Sequence, residues 1–218
     1  MTTALISLMH VLVFVYWLGG DLGAFYTSRM ISDSTRPAAA RIAAAQALTA
    51  LDMAPRTALI LTLPTGMTLT TVTGHLTLSI AALVAIWALS LGWLWLAWQI
   101  HLKHLPPGAG VRRLDLGIRW VVLSGLVVAG GGIVMGVVEA PLFLGLKVLI
   151  LAAAIATGLW VRKLIAPFGS AFAALVTAGP SDDGNQIIAS ALARARPAVM
   201  LIWLLLLSAA FLGLWRPQ

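Results

Sequence analysis

Long apolar runs recur along this chain, separated by short polar intervals, and few charges fall inside the runs. A helix needs about 20 mostly apolar residues to cross hydrocarbon. Six stretches qualify, near 4–28, 55–73, 76–101, 119–138, 141–163 and 197–215. Pro55, Pro141 and Pro197 stand at or near the first helical position of three of them, where the missing N–H costs nothing. Pro64, followed by Thr65 and Gly66, is expected to kink the second span, and the threonines around it can satisfy the backbone groups freed there. Between spans, residues 37–52 are Ala-rich, begin at a proline and predict a short surface helix. Gly179 to Asn185 form a dense turn cluster, after which Gln186 to Arg196 predict a helix leading into the last span. No span-length repeat is evident, so residues 1–218 read as a single domain. The pattern predicts an all-α fold, a polytopic membrane bundle of six transmembrane helices.

Composition agrees and adds orientation. The chain is 61% hydrophobic and 10% charged, far outside the range of a soluble domain, which makes the lipid bilayer its first partner. Its net charge of +7 does not point to nucleic acid, because the basic residues flank apolar runs instead of gathering on one soluble face. Of the 14 Lys and Arg residues, all but Lys147 and Arg216 follow spans one, three and five. The positive-inside rule then puts both termini outside and the long loops in the cytoplasm, as expected for a multi-pass protein of a bacterial inner membrane. The first apolar run lacks a basic leader and a small-residue cleavage site, so it reads as a retained span. With no cysteine, Fe–S clusters, covalent c-type haem and thiolate metal sites are excluded.

Ionisable side chains inside hydrocarbon are costly and mark functional candidates. The first span carries two, His10 and Asp21. At 100° per residue, Trp17 and Asp21 each fall within about 20° of His10, so one stripe holds an imidazole, an indole and a carboxylate. At 1.5 Å per residue, His10 lies roughly 9 Å outward of the midplane, Met135 and Lys147 roughly 9 and 7 Å, and Asp21 roughly 16 Å further along its helix from His10. Met67 sits in the second span, with His75 and Glu139 at outer mouths. Asp21 and Lys147 are too far apart in depth to be an ion pair. Asp21 fits proton relay or a structural hydrogen bond between helices; Lys147 fits catalysis or an ammonium snorkelling outward.

A neutral His10 imidazole can ligate haem iron or copper, or donate to a backbone carbonyl. Met67, His75 and Met135 are candidate second ligands, and His10 with His75 the candidate metal residues. Gly130, Gly131, Gly132 and Gly136 would suit a flat slot for a macrocycle or plain close packing. The Gly19 and Gly23 pair reads as a packing groove. His101 and His104, with Asp115 nearby, fit a metal site less well than a wet interface. Trp93, Trp95 and Trp98 predict an inner aromatic belt and Trp215 an outer one, while Trp17 and Trp87 sit deeper.

The first span, with His10, Trp17 and Gly20, resembles the first helix of the HemJ-type protoporphyrinogen oxidases and of the related CopD copper-resistance proteins. Met53 to Leu69, with Pro64-Thr65-Gly66-Met67, is similar to their second helix, and Leu146-Lys147-Val148-Leu149 resembles the HemJ lysine helix. Tyr26 stands where HemJ ends its first helix on an arginine. The resemblance implies a membrane helical bundle built around the first-helix histidine, with Trp17 and Gly20 shaping its surroundings. It also implies b-type haem and, in HemJ, oxidation of a porphyrinogen.

Residues and resemblance together lead to a haem b-binding membrane redox protein, serving electron transfer or porphyrinogen oxidation linked to the quinone pool. The partners expected are a quinone or porphyrin-type small molecule and, at the protein level, a second copy or a redox protein. A copper or small-solute transporter of CopD type, using Met9, His10, Met67 and Met135, is the alternative. An accessory subunit docking a partner enzyme is the third reading.

Overall fold

The computed structural model describes residues 1–104, 106 and 108–215; Arg216, counted above on the outer side, lies outside them. Eight helices follow in order: α1 (Thr2–Ser32), α2 (Ala38–Leu51), α3 (Met53–Val72), α4 (Ile80–Leu102), α5 (Gly110–Val134), α6 (Leu142–Leu164), α7 (Ala166–Ala178) and α8 (Asp182–Trp215). No strand occurs among the described residues. Five helices, α1, α4, α5, α6 and α8, are long and apolar enough to cross a membrane. They leave Leu89, Val121, Val128 and Leu214 widely exposed, as a lipid-facing surface requires.

The expected second span forms as α3 but falls outside that apolar set. Its position explains its polarity. It packs on α1, α4 and α2, and Ala58, Ile60, Pro64 and Thr65 are buried. A helix shielded by its neighbours need not be apolar all round. Its threonines also hide their hydroxyls: Thr62, Thr65, Thr68, Thr70, Thr71 and Thr73 each donate to the carbonyl four residues back. Pro64 stands inside one continuous helix.

Glycines set the closest helix crossings. A Cβ on Gly20 would stand 2.5 Å from Ala54 Cβ and 2.7 Å from Pro55 Cδ, so α1 and α3 touch there backbone to backbone. Gly130 faces Leu149 and the Gly145 carbonyl, while Gly145 faces Ile133 and Val134. These two glycines lock α5 onto α6. A central core joins Trp17, Ala58, Ile60, Ile155 and Ile202.

A second, smaller core lies where α1 ends. Ile31, Ala44, Leu175 and Ile188 pack there from α1, α2, α7 and α8. The helix expected over 37–52 is α2. The one expected over 186–196 is continuous with the last span, through Pro197, as the 34-residue α8. Helix α7 fills a stretch given no element above; Phe168 and Phe172, four residues apart, stack at 5.2 Å on it. Arg41 is 1% exposed, so it is not available to headgroups. Its Nε donates to the Ile31 carbonyl at 2.9 Å and an amino group to Asn185 Oδ1 at 2.7 Å, which fastens α2 to both long helices.

Candidate functional site

The α1–α3 seam brings His10 against Thr65 and Gly66. His10 Nδ1 and Thr65 Oγ1 are 2.9 Å apart, and the Thr65 hydroxyl donates to the Leu61 carbonyl at 2.7 Å. A hydroxyl has one proton to give. The tautomer with Nδ1–H satisfies both contacts at once, the imidazole donating to Thr65 while the hydroxyl donates to Leu61, and it leaves the lone pair on Nε2. This is how a ligating histidine is oriented by its outer partner. A Cβ on Gly66 would stand 3.3 Å from His10 Cε1, so glycine there leaves room for the ring. Lys147 on α6 acts on His10 electrostatically. Its ammonium lies over Gly213 of α8, where a Cβ would stand 2.9 Å from Nζ, and the side chain thus runs outward along the α6–α8 contact.

Deeper on the same face of α1, Trp17 is 3% exposed, inside the central core. Asp21, one turn on, has the Trp17 indole as a hydrogen-bond neighbour and feels the Asp52 carboxylate across the seam. Its Oδ2 is buried with no hydrogen-bond partner among the described residues. Asp21 lies towards Asp52, and Lys147 towards His10 and Gly213. Gly20 is packed tightly on Ala54 and Pro55, so it shapes the helix crossing below the histidine instead of lining a space beside it.

The candidate second ligands are not gathered round His10. Met67 is two residues from Thr65 on a helix, which turns it about 200° away from the histidine. His75 is in the turn after α3, with Nδ1 2.9 Å from Thr73 Oγ1 and its ring edge-on to Phe143 at 5.3 Å. Met135 caps α5 and is 75% exposed. Gly130 is filled by Leu149, and a Cβ on Gly132 would meet Val138 at 3.4 Å, so this glycine run serves helix packing more than a slot. No cluster of three or more His, Asp or Glu side chains able to hold a metal ion occurs among the described residues.

A second polar assembly lies where the C-terminal parts of α4 and α6 meet the N-terminal part of α5, residues the sequence had divided between an aromatic belt and a wet interface. Asp115 is 3% exposed. It accepts from Trp93 Nε1 at 2.9 Å and Arg119 Nε at 3.1 Å, with Arg162 at 3.7 Å. Trp93 is thus an interior tie between α4 and α5, and Asp115 is taken up by two guanidiniums. Trp95 is 64% exposed and suits the belt. Trp87 donates to Thr68 Oγ1 at 2.9 Å, joining α4 to α3. Asp52 pairs with Arg56 one turn on. Among known proteins, no family model, no curated protein and no solved structure matches this chain.

Proposed function

We propose that the protein is a six-span redox protein of a bacterial inner membrane, with both termini outside, whose working group is His10 and whose cofactor is b-type haem. Two observations support the sixth span. Gly20 meets Ala54 and Pro55, and His10 meets Thr65 and Gly66; residue numbers fall along α1 as they rise along α3. Helix α3 therefore runs antiparallel beside α1 through the same depth, shielded from lipid by its neighbours.

The observation that carries the redox reading is the His10–Thr65 contact, which supports the Nδ1–H tautomer and, with it, an Nε2 lone pair able to ligate a metal-centred group. When bound, such a haem would be held by His10 and would supply one-electron chemistry. Thr65 holds the imidazole ring in place, and Gly66 keeps bulk away from it. Lys147 offers a positive charge in the outer half, suited to the carboxylates of a porphyrin-type substrate. Asp21, with an open Oδ2, serves as proton acceptor on the inner side. Oxidation of a porphyrinogen, with its electrons and protons delivered to a quinone, uses all of these groups.

A reduced-minus-oxidised visible spectrum of protein purified in mild detergent tests this. The wild type is expected to show the sharp α-band of b-type haem. His10→Ala should abolish it, and Thr65→Val should weaken haem affinity by about 10–100-fold, as loss of an outer-shell partner does. A flat wild-type spectrum from cells grown with ample haem precursor overturns the reading. Copper in the same preparation would then favour the transporter; neutral substitutions at His10 and Asp21 would favour the accessory subunit.

A further inference from the structure

The inner ends of α3, α5 and α6 concentrate positive charge. Arg56, Arg112, Arg113, Arg119 and Arg162 gather there, with Asp52 and Asp115 as the carboxylates that pair with Arg56, Arg119 and Arg162. Asp115 is fully engaged by Trp93, Arg119 and Arg162. Arg119, Arg56 and Arg112 all act electrostatically on Arg162, so like charges are held close. Helix packing alone gains nothing from that repulsion.

These arginines line a cavity. Arg112, Arg113, Leu116 and Arg162 line a half-open cleft of about 200 Å³ between α5 and α6, and Arg112 also borders a second space of about 110 Å³ beside Asp52, Arg56, His101 and His104. Three guanidiniums, two from α5 and one from α6, offer forked donors matched to phosphate oxygens. The fourth lining residue is apolar. Trp120, one turn beyond Leu116, is half exposed on the same helix face and continues that apolar track towards the bilayer. Arginines at the mouth with an apolar track leading into hydrocarbon match a lipid, whose phosphate and acyl chain are joined.

We propose that this cavity binds the phosphate of an anionic glycerophospholipid, held by Arg112, Arg113 and Arg162 with its chains along Leu116 and Trp120. Basic pockets between transmembrane helices on the cytoplasmic side are a recurrent home for such headgroups. Its leaflet rests on the orientation proposed above; its chemistry does not, nor does it depend on haem.

The test is a lipid titration of the full chain in zwitterionic micelles, followed by tryptophan fluorescence and unfolding temperature, with phosphatidylglycerol, phosphatidylcholine or inorganic phosphate as probe. Phosphatidylglycerol is expected to raise the unfolding temperature saturably, while phosphatidylcholine and inorganic phosphate do not. Arg113→Gln, at an exposed position outside the Asp115 pairs, should fold normally and weaken the apparent affinity about fivefold, the worth of one arginine near an anionic surface. Arg112→Gln/Arg113→Gln should weaken it further, and Arg194→Gln on α8 should leave it unchanged. Equal responses in wild type and Arg113→Gln overturn the proposal. So does a response to inorganic phosphate as strong as that to the lipid, which would identify a soluble anion as the ligand.

Discussion

At the residue scale, hydrocarbon made some groups conspicuous and left their partners hidden. His10 and Asp21 stand out because each is an ionisable side chain in an apolar run. Thr65, the residue that orients His10, is 55 positions away and was visible only as one of several threonines near a proline. Its role depends on how α1 crosses α3, which no local pattern encodes. Asp115 went without a role for the same reason: the sequence set it beside His101 and His104 at a wet interface, whereas its bonds run to Trp93 and Arg162 on other helices as well as to Arg119 on its own. Breaking that hub is expected to be costly. Asp115→Ala leaves Arg119 and Arg162 without their carboxylate and should destabilise by about 3–5 kcal/mol, as loss of one partner of a buried pair does. Asp33→Ala removes an exposed pair with Arg36 and two exposed turn hydrogen bonds from Thr35 and should lower the unfolding temperature in detergent far less. Equal effects from the two would show that the Asp115 assembly is not structural.

At the element scale, apolar periodicity found every long helix but misjudged what joins them. The last span and the helix before it are one element, because Pro197 is accommodated inside α8. Helix α7 was missed because its residues follow a basic span end and precede a turn cluster, a setting that reads as loop. Glycine roles were the least legible, since a glycine matters only through what lies opposite. The Gly19 and Gly23 pair looked like the packing groove; Gly23 does face Leu51, 3.2 Å from a Cβ, yet a Cβ on Gly19 would meet nothing within 4 Å, and the tightest approach belongs to Gly20. Gly20→Ala should therefore cost about 1–3 kcal/mol through overpacking against Ala54 and Pro55. Gly19→Ala should be neutral or stabilising by up to about 1 kcal/mol, from helix propensity. Thermal unfolding of the two variants in one detergent decides it, and a Gly20→Ala variant as stable as wild type would mean that α1 and α3 are further apart.

At the scale of the whole molecule, the open question is parity. Five helices meet the requirement for a span by length and composition, and an odd number would put the termini on opposite sides. The α1–α3 pairing argues for an even number, because α3 returns past His10 to the depth at which α1 begins. The charge distribution argues the same way, since it is consistent only if residues 33–52 and the α7–α8 turn share the basic side. The lack of native cysteines makes the test free of background. Ser34→Cys and Ser181→Cys, both at exposed positions, should react with an impermeant maleimide only from the cytoplasmic side. Thr77→Cys and Glu139→Cys, also exposed, should react only from outside. Thr77 is decisive, because it follows α3 and precedes α4. Its labelling from the same side as Ser34 would make α3 a re-entrant helix, put every later connection on the side opposite to that proposed, and overturn the six-span reading.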